Sequence, residues 1–114
     1  MKDFLKKLKE NPRKISFEET IHVIDTCYNF TPTTFSNGEI NNPAGKNNGS
    51  CKLFAFAQLH DLTEQETLYC FGEHYAHVLE TPYGNDHQNI RNFMKTGWSE
   101  IVFSSSPLKL KNPL

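Results

Sequence analysis

The chain has almost no net charge, no paired cysteine motif and no long apolar run, and each shortage closes a class of function. A formal net charge of −1 over 114 residues gives no overall pull toward nucleic acid or an anionic membrane surface. Three cysteines, Cys27, Cys51 and Cys70, are odd in number, widely spaced and without CxxC. That argues against a disulfide framework and for reduced thiols in a cytosolic setting. No stretch approaches the roughly 20 apolar residues of a membrane-spanning helix. No secretory signal is expected either, because lysines interrupt Phe4, Leu5 and Leu8. There is no Gly-rich phosphate loop, no paired-carboxylate motif and no basic-aromatic signature. The expectation is therefore no cofactor, no nucleic-acid partner and no membrane insertion. Hydrophobic residues are 37%, a low share, but nine Phe, four Tyr and one Trp raise the aromatic fraction to 12%. Aromatic side chains carry much area each, so one compact core is within reach.

At this length a single domain covering 1–114 is expected. Its centre is the run Cys51-Lys52-Leu53-Phe54-Ala55-Phe56-Ala57-Gln58-Leu59, the most apolar stretch present. It reads as a helix buried nearly all round, with Ser50 as N-cap. Ahead of it, residues 2–10 form a basic amphipathic helix, with Phe4, Leu5 and Leu8 on one face. The first 14 residues carry a balance of +4 and the remainder −5. This basic segment could dock on the acidic body or on a partner; a solvated helix face is the plainer account.

Ser16-Phe17-Glu18-Glu19 is a capping box. It opens a helix running to about Tyr28 on the stripe Phe17, Ile21, Ile24 and Tyr28. Thr33 to Ser36, then Asn37-Gly38, then Glu39-Ile40 reads as a hairpin. Asn41 to Gly49 is a long polar loop, and long ordered loops often carry function. Thr63 with Glu66 forms a second capping box, and Gly72 either ends the helix it starts or is passed through. Asp86 is read as the cap of a helix bearing Ile90, Phe93 and Met94, with Gly97 as its αL stop. Glu100 to Phe103 is a late strand, and 104–114 is a tail with one short alternating strand. A lone hairpin is marginal in water, so the late strand should pair with it. The fold class is thus α+β: several short helices on a small antiparallel sheet, from a hairpin near 33–40 and a strand near 100–104.

Three constellations could carry chemistry. Cys51, at a helix entrance beside Lys52, resembles the Gly-Ser-Cys entry of papain-like peptidases. His74 or His87 would serve as base and Asp86 or Asn89 as orienter. A buried packing cysteine fits the same residues. Cys70, His74 and His77 share one face if the helix continues through Gly72, with Asp86 or His87 as a fourth metal donor. A surface His pair beside a core Cys is the simpler reading, and no metal ligand is assigned. Asp86-His87-Gln88-Asn89-Ile90-Arg91-Asn92 is a dense polar helix entry that could cradle an anion, with Lys52, Asn89, Arg91 and Asn92 as candidate ligand contacts.

The stretches Gly49 to Ala57, Cys70-Phe71-Gly72-Glu73-His74-Tyr75, Thr81-Pro82 and Asp86 to Met94 together resemble the HopJ type III effector family. Tyr28 to Thr33 and Phe35 to Glu39 are similar to it as well, so the likeness runs from about Ser16 to Phe103. The resemblance implies a small single-domain bacterial protein. Through the family's name it also implies passage from the bacterial cytoplasm into a host cell by type III secretion. It carries no catalytic residues over. The reading that follows is a non-catalytic domain using its polar patches to bind an unknown protein partner or small ligand. The alternatives are a thiol-dependent hydrolase or transferase built on Cys51, and a metal module built on Cys70, His74 and His77.

Overall fold

The computed structural model of the protein describes residues 1–111, so the last three positions of the tail lie outside the described residues. Its core is organised around α3 (Asn48–Leu59), whose Leu53, Phe54, Phe56 and Ala57 are fully buried. Phe54 meets Phe35, Phe71, Phe93 and Trp98 with ring centroids 5.0–6.2 Å apart. Phe56 meets Phe4 and Tyr28 edge-on. Such T-shaped and tilted aromatic contacts add to the area buried, and they explain how a sequence poor in aliphatics closes one core.

Around this helix the chain lays its other elements in order. α1 (Lys2–Glu10) buries Phe4 and Leu8, one turn apart, against the core. Lys7 pairs with Glu19 at 3.0 Å and Lys9 with Glu66 at 3.1 Å. The basic helix thus docks on the acidic body. Exposed ion pairs contribute little, so Phe4 and Leu8 do most of the holding. α2 (Phe17–Cys27) starts at Ser16, whose hydroxyl accepts the Glu19 N–H at 3.0 Å. The expected box is only half formed, because the Glu19 carboxylate turns to Lys7 instead. α2 ends one residue early: Tyr28 opens β1 (Tyr28–Phe30), which was read as the helix end and the break after it.

β2 (Phe35–Asn37) and β3 (Ile40–Asn42) form the hairpin, but its two-residue loop is Gly38-Glu39 rather than Asn37-Gly38. Gly38 takes φ +61 while Glu39 keeps a negative φ, as a type II′ turn requires. β4 (Ile101–Phe103) pairs antiparallel with β2, Phe35 facing Phe103, so the late strand joins the hairpin as expected. β5 (Leu108–Leu110), the alternating strand of the tail, pairs instead with β1. The described residues therefore form two small antiparallel sheets, ordered β1-β5 and β3-β2-β4, where one was expected.

α4 (Glu64–Cys70) begins with the full Thr63–Glu66 capping box, its two bonds 3.0 and 2.9 Å long. It then stops. Gly72, at φ +55 and ψ −125, separates it from α5 (Glu73–Glu80). A Cβ there would lie 2.5 Å from the Phe17 nitrogen, so the backbone of 15–17 passes directly over Gly72. Buried Thr20 ties α2 to the end of α4 by donating to the Cys70 carbonyl at 2.7 Å. α6 (Gln88–Thr96) follows a loop and ends at Gly97, whose φ +61 and ψ −155 lie outside the αL conformation expected of this glycine stop. No described helix is long and apolar enough to cross a membrane.

Candidate functional site

The starts of α2, β3, α3, α5 and α6 converge on one open cleft of about 430 Å³. Aromatic rings form one wall. Phe17 stacks on Phe71 with planes 5° apart, and its ring lies 4.8 Å from His74. His74 is in turn 5.1 Å from His87, and His87 is 5.7 Å from His77. Asn47 and Ser50 from the head of α3, and Asn85, Asp86 and Gln88 before and within α6, supply the polar side. Gly49 lets the two halves approach, since a Cβ there would sit 2.9 Å from the Phe17 ring. The Glu73 carboxylate holds the same corner by accepting the Phe17 N–H at 2.9 Å. That backbone bond, foremost, keeps the Glu73 carboxyl below its ordinary range.

A network of asparagines sets the position of α6. Asn37, Asn42 and Asn89 are all buried. Asn37 Nδ2 donates to both Asn89 oxygens at 2.9 and 3.0 Å. Asn42 and Asn89 exchange amide bonds at 3.1 and 3.0 Å, and Asn47 adds a donor to Asn42 at 2.8 Å. Asn92 donates to the Asn37 carbonyl. Asn37 Oδ1 is the one buried side-chain oxygen among the described residues left without a partner. These amides bolt the hairpin to the first turn of α6. Their burial carries no local signal in the sequence; only the density of Asn through 37–48 hinted at it.

Arg91 organises the loop before α6. It donates to the Thr81 carbonyl at 2.7 Å, the Thr81 hydroxyl at 3.0 Å, the Asp86 carbonyl at 2.6 Å and the Asp86 carboxylate at 2.7 Å. Asp86 is therefore not the helix cap. His87 occupies that position in the left-handed region, φ +49, with no side-chain cap bond. The Arg91 hydrogen bond, helped by the nearby imidazoles, holds the Asp86 carboxyl below its usual range. The other Asp86 oxygen faces His77 Nε2 at 3.2 Å.

Of the sequence candidates, His74, Asp86, His87 and Asn89 line the cleft, and Asn89 is committed to the amide network. Lys52 lies elsewhere, 2.8 Å from Asp25 and over the Phe30 ring. Arg91 is outside this cleft's lining and bonds Thr81 and Asp86, and Asn92 donates to the Asn37 carbonyl. The head of α3 lies earlier than read: it begins at Asn48 behind Asn47 in the αL region, so Ser50 is not the cap. Cys51 thus sits a full turn in, its N–H already bonded to Asn47 O at 3.0 Å. The free N–H groups that lower a thiol pKa at a helix entrance are gone. Its thiol is buried, donates to the Thr33 carbonyl at 3.6 Å, and is pushed upward by burial. The Cys70, His74 and His77 face does not form, because Gly72 breaks the helix between them. Cys70 is fully buried and its pKa is pushed up to about 12. Iodoacetamide at neutral pH is expected to label half-buried Cys27 first and to leave Cys51 and Cys70 protected in the native protein. Rapid labelling of Cys51, read by mass spectrometry, would contradict this.

These features define a small α+β domain with a histidine-lined cleft held by an amide network. A family model described as HopJ type III effector protein matches residues 1–108, and the chain belongs to that family. The match reaches beyond the 16–103 span of the sequence motifs and takes in α1. A crystal structure of a protein called VPA0580, of unknown function, is similar over 97% of this chain and 93% of its own, at 52% identity and a TM-score of 0.96. No curated protein matches the chain.

Proposed function

We propose that this HopJ family domain is non-catalytic and binds a small polar molecule in the cleft of His74 and His87. The observation that carries this reading is the convergence of five chain segments on one concavity. Its size of about 430 Å³ lies in the ordinary range for small-molecule sites. An aromatic wall for stacking faces imidazoles, a hydroxyl and amides that can orient a polar ligand. Against catalysis stands the state of the strongest nucleophile candidate, Cys51, buried with a raised pKa. Delivery into a host cell through a type III system is supported by the family's description.

The test is a nitrogen-15 NMR titration with a panel of amino acids, small carboxylates and nucleosides. Saturable shifts are expected for the amides of Ser50, His74, His87 and Gln88, and a His74→Ala variant should weaken that binding about tenfold or more, the loss of roughly one contact. Saturable binding confined to another face, or turnover of any panel compound, would refute the reading.

A further inference from the structure

Among the described residues one set of His, Cys, Asp and Glu side chains converges closely: His77, Asp86 and His87, whose ligand atoms all lie within 4.8 Å of one another. We propose that these three residues form a binding site for a divalent first-row cation of the zinc class at the mouth of the cleft. The inference concerns the ion alone and stands whether or not the cleft takes an organic ligand.

The donor chemistry selects the ion. Two imidazoles are borderline donors and the carboxylate a hard one, a mixed set that zinc accepts and that calcium and magnesium, which take all-oxygen shells, do not favour. Tetrahedral zinc with bonds of about 2.0–2.1 Å places its donors about 3.3 Å apart. His77 Nε2 and Asp86 Oδ2 already stand at 3.2 Å. His77 and Asp86 are exposed and His87 half-buried, so side-chain rotation alone can bring His87 into that spacing. Three protein donors leave a fourth position, open to water or to a group bound in the cleft. His74 stands beside His87, the two rings 5.1 Å apart.

The surroundings fit a metal site in a second respect. The Arg91 guanidinium bonds Asp86 Oδ1 and the Asp86 carbonyl, and anchors to Thr81. The carboxylate is thereby pinned with Oδ2 turned toward His77. An outer-shell group that orients a ligating side chain in this way is a regular part of metal sites. His87 holds a left-handed backbone conformation, one that histidine adopts more readily than most residues with a side chain, and its ring lies 5.1 and 5.7 Å from those of His74 and His77 on α5. His77 lies one turn beyond His74 on the same face of α5, which puts both imidazoles toward the loop.

The experiment is calorimetric titration of the full-length, tag-free protein with zinc chloride after chelator treatment, with cobalt(II) absorption as the spectroscopic readout. One zinc per chain is expected. His77→Ala and His87→Ala should each weaken affinity at least about 100-fold, and Arg91→Lys about 10–100-fold, with circular dichroism confirming the fold of each. Should an alanine variant fail to fold, His77→Gln, which keeps the side-chain bulk, serves in its place. The cobalt spectrum should show tetrahedral d–d bands without a thiolate charge-transfer band. Undiminished binding in His77→Ala, a thiolate band, half an ion per chain or no binding at millimolar zinc would each overturn the proposal.

Discussion

Gly72→Ala is expected to destabilise the protein by roughly 2–6 kcal/mol, a large part of the stability of a small domain. Two independent costs add. At φ +55 and ψ −125 an L side chain is strained by about 1–3 kcal/mol. The new Cβ would also stand 2.5 Å from the Phe17 nitrogen and 2.8 Å from the Ser16 carbonyl carbon. That backbone cannot retreat freely: Ser16 caps α2 and Phe17 stacks on Phe71. Forcing the segments apart costs about another 1–3 kcal/mol. Thermal melting should show a fall of roughly 8 °C or more, at about 4–8 °C per kcal/mol. Gly72→Asn should fare no better, because asparagine tolerates the left-handed region near ψ +47° and not this ψ. A melting point within about 3 °C of the parent would refute the account. The cleft should report the same change, since Phe17, Phe71 and His74 all meet at this crossing.

Asn89→Ala is expected to cost roughly 2–4 kcal/mol through groups left without partners. The Asn42 amide would lose both its donor and acceptor contacts with Asn89, and Asn37 Nδ2 would keep only the Asn89 carbonyl. Water does not reach these atoms easily, because Asn37 and Asn42 are almost fully buried. Asn89→Leu should not restore stability: it keeps volume but supplies no hydrogen bond. The effect should extend to function, as the same amides fix the start of α6 and with it His87. Chemical denaturation measures the first claim, and loss of the His87 NMR shift on titrating the cleft measures the second. A variant of parental stability would show that the amide network contributes nothing net.

Much of the fold was readable from local chemistry. The capping signals at Ser16 and Thr63, the buried run from Leu53 to Ala57 and the glycine stop at Gly97 all depend on neighbours in sequence. Helix starts were less so: Asn47 and His87 take left-handed capping conformations, which residue types alone favour weakly. Tyr28, the first residue of β1, reads as a helix end because it continues the stripe of Phe17, Ile21 and Ile24, while the pairing that draws it into a strand comes from the distant β5. The site was legible in parts. His74, Asp86 and His87, read as candidates for base, orienter or metal donor, line the cleft, whereas Lys52, Arg91 and Asn92, read as ligand contacts, make bonds within the fold.

By itself the sequence determined the α+β class, the central helix, the helix-stop at Gly72 as one of two outcomes, and membership of a family. Each of these rests on composition, short-range hydrogen bonding or extended motifs. Tertiary structure decided the rest. It closed Gly72 under the 15–17 backbone, so Cys70 was parted from His74 and His77. It buried Cys51 a turn inside α3, with its thiol directed to Thr33. It brought His77, Asp86 and His87 together across a loop that Arg91 holds. The physical reason is common to all three. Burial, and the approach of side chains from distant segments, depend on which backbones cross, and no local pattern of residues specifies a crossing.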